Sequence, residues 1–70
     1  MEENVRVVFR VHEVPGGEPW IQLEPLNRDL KVLRNGFLGF ELSEGTTINK
    51  AEEIAAFLQE NISSVSYTLP

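Results

Sequence analysis

Apolar and polar residues alternate along most of this chain, and one stretch breaks to helical spacing. From Val5 to Val14, the residues Val5, Val7, Phe9 and Val11 alternate with Arg6, Val8, Arg10 and His12. That period of two is the signature of a strand with one face buried. Pro15-Gly16-Gly17 ends it, and Trp20 to Glu24 begins a second strand with Ile21 and Leu23 on one face. The short glycine-rich connection predicts a hairpin between the two. Phe37 to Leu42 is a third strand, with Leu38, Phe40 and Leu42 inward and Phe37, Gly39 and Glu41 outward. Near the end, Val65, Tyr67 and Leu69 alternate with Ser64, Ser66 and Thr68 as a fourth.

Thr46 to Ile62 follows the other rhythm. At about 100° per residue, Ile48, Ala51, Ile54, Ala55, Leu58 and Ile62 form one apolar stripe, while Asn49, Glu52, Glu53, Ala56, Gln59 and Glu60 face away. Leu58 is central in that stripe and is expected to be deeply buried. Thr46 or Thr47 can cap the first turn, but no Glu or Gln follows three places later to complete a capping box. Asn61 suits a left-handed stop that folds Ile62 back over Phe57. Between the second and third strands, Pro25 to Gly36 carries two competing signals. Leu26, Leu30 and Leu33 lie at helical spacing, whereas Asn35-Gly36 marks a tight turn. An irregular connection with at most one helical turn accommodates both.

These elements, in the order β-β-β-α-β, predict an α+β fold with two layers. A mostly antiparallel four-stranded sheet of order 3-2-1-4 carries one helix on one face, within one small domain spanning residues 1–70. The helix is expected to carry the chain back, so that the last strand runs parallel to the first and third through a right-handed crossover. One helix covers one face, so the other is left to water or to a partner.

Composition narrows the chemistry. Cysteine is absent, which removes disulfides, thiolate metal sites and thiol nucleophiles, and suits a reducing, cytoplasmic setting. The net charge is −5. Residues 1–36 hold five basic and six acidic groups, and residues 37–70 hold one basic and five acidic. An acidic helix side repels phosphate, so nucleic acid and anionic membrane are poor matches. The opening Glu2-Glu3 is unlike a signal peptide, and no apolar run reaches membrane-spanning length.

Catalytic patterns are missing. His12 is the single histidine, and it has neither a companion ligand for a metal nor a nucleophile in a motivated context. Glu41, Glu44, Glu52 and Glu53 read as a solvated acidic surface, because paired carboxylates act on sugars only within a concave site. Ser43-Glu44-Gly45-Thr46-Thr47 joins a strand to a helix start, but it lacks a second glycine and a lysine, and Glu44 opposes an anion. The expectation is therefore a non-enzymatic chain with no cofactor or metal.

Two features exceed what a plain solvated fold needs. On the outward sheet face Arg6, Val8, Arg10, His12, Trp20 and Phe37 fall together, and arginine beside aromatics is a composition enriched at binding hot spots. Three readings of that face compete. It is an interface with a protein partner or a second copy, a stacking surface for single-stranded nucleic acid, or an internal contact in which Trp20 packs over Gly39 beneath the Pro25–Gly36 segment. The second feature is Phe57, which lies outside the helical stripe. It is closed over by Ile62, touches the long Pro25–Gly36 connection, or is a further contact with another chain.

Overall fold

In a computed structural model of the chain, residues 2–28, 33–34 and 36–68 are described. The elements are β1 (Glu2–His12), β2 (Trp20–Pro25), β3 (Leu38–Glu41), α1 (Ile48–Asn61) and β4 (Ser64–Thr68). They form an α+β fold with one four-stranded sheet of order β3-β2-β1-β4. Leu30, Asn35 and Leu69, which entered the sequence expectations, lie outside the described residues.

The expected parallel pairing of the last strand is corrected. β4 runs antiparallel to β1, with Glu2 opposite Thr68 and Arg6 opposite Ser64. Helix length supplies the reason. α1 has 14 residues, about 21 Å at 1.5 Å per residue. β1 has 11, about 36 Å at 3.3 Å per residue. The helix descends from the β3 end of the sheet and runs out halfway along β1. The chain then continues in the same direction as β4, so no parallel crossover forms.

β1 is consequently shared between two sets of partners. Its second half, Val7 to His12, pairs with β2, and β2 pairs in turn with β3. Its first half, Glu2 to Arg6, pairs with β4. Such an offset sheet is long, and the molecule measures 40 × 24 × 20 Å.

The core lies on the inner face of β1 and β2. Val5, Val7, Phe9, Ile21, Leu23 and Ala55 are its buried members, and Ala51 is fully buried as well. The alternation of β1 and β2 is thus realised as the sequence implies. α1 rests mainly on β1 and less on β2, and the two alanines let its axis approach closely. Leu58 and Ile54 are half-buried at the side of this contact, which corrects the expectation of a deeply buried Leu58. Because the helix lies over β1, the inner side of β3 is not roofed. Leu38 is 43% and Phe40 38% exposed, although both point inward as their alternation predicts.

The helix ends differ in how far the residues foretell them. Thr47 is the N-cap, and its hydroxyl oxygen accepts the Lys50 amide at 3.1 Å. Gly45 at φ 85° makes the preceding turn, which closes through the Thr46 amide onto the Ser43 carbonyl at 3.1 Å. At the other end no left-handed stop forms at Asn61. Helix continues through Asn61, and Ile62 is an extended cap whose amide donates to the Leu58 carbonyl at 2.7 Å. Ile62 is extended and joins the core, so Phe57 stays 65% exposed.

Candidate interface at the β3 margin

Even-numbered residues of β1 and β2 project to the outer face, and the structure gathers Arg6, Val8, Arg10, His12, Trp20 and Phe37 there. Most of these side chains are satisfied within the chain. Arg10 forms an ion pair with Glu24 across β1 and β2. His12 Nε2 is 2.6 Å from Gln22 Oε1. The His12 and Trp20 rings stack with centroids 4.4 Å apart, and Trp20 and Phe37 stack at 5.7 Å. β1 and β3 flank β2 on opposite sides, so the indole has an aromatic ring against each of its faces. Its edge lies on Gly39, where a Cβ would come within 2.8 Å of Trp20 Cε3. The expected packing of Trp20 over Gly39 is present. Its lateral cover comes from His12 and Phe37.

The described part of the Pro25–Gly36 connection is engaged at the other end of the sheet. Asn27 Oδ1 accepts the Arg6 amide at 2.9 Å, and Arg28 Nη2 donates to the Asn4 carbonyl at 2.9 Å. Leu33 turns back onto the core. Its carbonyl accepts the Gly36 amide at 2.8 Å, with Arg34 at φ 56° inside that turn.

These contacts share a purpose that the sequence pattern does not reveal. Each half of β1 has a strand on one side only, which leaves backbone groups unpaired on the other, and exposed sheet edges invite pairing with other chains. Asn27 and Arg28 occupy the open flank of the first half. On the second half, Gln59 of α1 accepts the Phe9 amide at 3.0 Å and reaches the Val7 carbonyl at 3.4 Å. Gln59 was expected to face away from the sheet. A long amide at the margin of an apolar stripe is the signal that could have placed it, since it can both accept from and donate to a strand.

β3 has no such protection. Among the described residues nothing pairs with its outer edge, and all four of its residues are exposed. Phe37, at 62% exposure, stands on the outer side of this margin, with Leu38 and Phe40 on the inner. Phe57 is on the helix side and does not join the outer-face group. It lines a shallow groove with Lys50, Glu53 and Ile54. Three of the exposed large apolar side chains, Phe37, Leu38 and Phe40, therefore gather at one short strand and not over the broad outer face that composition suggests.

An open groove at the same end of the sheet is lined by Val14, Glu18, Pro19, Trp20, Glu41 and Leu42. Among the described residues, no buried side-chain polar atom lacks a partner. Nor do three or more His, Asp or Glu side chains converge on a metal-sized site among those residues. No helix among them is long and apolar enough to cross a membrane. Comparison with protein-family models, with curated proteins and with solved structures finds no match to this chain.

Proposed function

We propose that the chain is a small, non-enzymatic protein-interaction module of the cytoplasm that self-associates, or serves a larger complex, through the β3 margin. One observation carries this reading. Three large apolar side chains, Phe37, Leu38 and Phe40, are 62%, 43% and 38% exposed on consecutive or alternate positions of an edge that no described residue pairs with. Leaving such a cluster wet forgoes about 25 cal/mol for each Å² of apolar surface that a partner could cover. Base stacking is the weaker alternative, because both faces of the Trp20 indole are already occupied and the chain carries a net charge of −5. The lack of cysteine supports the cytoplasmic setting.

Sedimentation velocity from low to high micromolar concentration tests the proposal. The wild-type mass should rise with concentration, and Phe37→Ser should shift the rise to higher concentration while leaving the circular dichroism spectrum folded. A wild type that stays monomeric throughout overturns self-association.

A further inference from the structure

We infer that two copies join edge to edge, β3 against β3 in antiparallel register about a two-fold axis at Gly39, giving one continuous sheet. The inference rests on the self-association reading and specifies its geometry. It begins with which backbone groups are free. Leu26 donates its amide to the Arg6 carbonyl, so the even residues of β1 direct their backbone groups toward β2. Backbone direction alternates along a strand. Carried through the registers of β1 with β2 and of β2 with β3, this turns Leu38 and Phe40 toward β2. The N–H and C=O groups of Phe37, Gly39 and Glu41 then point out from the edge.

Three outward residues at alternate positions, with a glycine in the middle and no described residue paired to them, are self-complementary. A two-fold axis at Gly39 sets Gly39 opposite its own copy and Phe37 opposite the second copy's Glu41. Every outward amide then meets an outward carbonyl. A shift by one residue sets free groups against occupied ones, and a shift by two leaves a terminal residue unpaired. The side chains agree with the same register. Residues directly opposite one another share a face, so Leu38 of each copy meets Phe40 of the other on the inner side, covering the two residues that α1 leaves wet. On the outer side Gly39 contributes no bulk at the axis. The two Glu41 carboxylates lie at opposite ends of the paired segment, which limits repulsion between two acidic chains.

Other edges in the molecule suit this role less. The open flanks of β1 are held by Asn27, Arg28 and Gln59. The sequence of β4, SVSYT, puts serine and threonine on alternate positions, and pairing β3 with β4 of another copy would be head-to-tail and would not close. A β3–β3 contact closes as a dimer and leaves no β3 edge to template further growth.

Amide hydrogen exchange on the wild-type chain reads the pairing directly. Between dilute and concentrated samples, the amides of Phe37, Gly39 and Glu41 should slow about tenfold or more, whereas those of Leu38 and Phe40, already turned to β2, should change little. A second experiment uses the absence of cysteine. Leu38→Cys and Phe40→Cys proteins are mixed and oxidised. Opposed residues of this non-hydrogen-bonded pair have Cα atoms about 4.5 Å apart, within disulfide reach. The mixed dimer should therefore form in excess over either homodimer. A wild type that dimerises without the alternating protection, or that cross-links mainly as homodimers, overturns the pairing while leaving self-association intact. Growth into fibres with β4 amides also protected overturns the two-fold. A monomer at every concentration removes both.

Discussion

Gln59, in the last turn of α1, accepts the backbone amide of Phe9 on β1 at 3.0 Å, across fifty positions of sequence. The strand that would otherwise pair there, β4, starts only opposite Arg6. One side chain thus does for the second half of β1 what a strand does for the first. Gln59→Ala leaves the amide of a buried residue without a partner and should cost about 1–3 kcal/mol in denaturant melts. Gln59→Glu keeps the acceptor for Phe9 but loses the donor to Val7, so it should fall between the two. An alanine variant within about 0.5 kcal/mol of the wild type, the range of ordinary surface changes, would show that water replaces the contact at no cost.

The close approach of α1 to the sheet makes a second prediction. Ala51 is fully buried and Ala55 7% exposed, so any larger side chain must push the helix off β1. Ala51→Leu should destabilise by about 1–3 kcal/mol through overpacking. Leu58→Ala, at a half-buried position, should cost less than the roughly 2–5 kcal/mol usual for a fully buried leucine. Thermal and urea melts of each variant against the wild type check both expectations.

Much of this architecture is legible in the residues. The alternation of Val5, Val7 and Phe9 and the spacing of Ala51 and Ala55 define the core, the short glycine-rich connection makes β1 and β2 neighbours, and a meander closed by the last strand beside the first completes the order 3-2-1-4. The direction of β4 escapes that reasoning because counting reversals assumes elements of equal length, and α1 is too short to bring the chain back to Glu2. The candidate surface is only half legible. Composition assembles Trp20, Phe37, Arg10 and His12 on one face, yet cross-strand pairing satisfies most of them there. The exposure of Leu38 and Phe40 depends on where the helix axis lies over the sheet. Alternation along a strand shows which way a side chain points, not whether anything lies above it.

Charge placement on α1 opposes its dipole at both ends. Lys50 stands in the first turn and Glu60 in the last, with no acidic residue in the first turn and no basic residue in the last. Lys50→Glu reverses the first sign and also sets a carboxylate three places after the Thr47 cap, completing a capping box. The helix-dipole contribution alone is about 0.3–1 kcal/mol at an exposed position. A melting temperature raised at low salt, with the gain diminished as salt screens the charge, is the expected result. A lower melting temperature would mean that Lys50 makes a favourable contact in the Phe57 groove that outweighs the dipole.

Trp20 and Gly39 test whether the outer-face stack is structural. A Cβ at residue 39 would lie 2.8 Å and 2.9 Å from Trp20 Cε3 and Cζ3, closer than carbon atoms approach without displacement. Gly39→Ala should therefore lift the indole and disturb its stacking on His12 and Phe37, changing the near-ultraviolet circular dichroism. The cost should be about 1–3 kcal/mol. Trp20→Ser removes the centre of the stack and should lower stability by a comparable or larger amount. Phe37→Ser should leave stability closer to wild type because Phe37 is 62% exposed. Its main effect belongs to association, where losing an aromatic anchor commonly removes about 2 kcal/mol, a roughly thirtyfold weaker dissociation constant. If Gly39→Ala and Trp20→Ser leave the melt unchanged and reduce only the sedimenting mass, the stack contributes nothing to the fold of one chain. The outer aromatics would then belong to the interface.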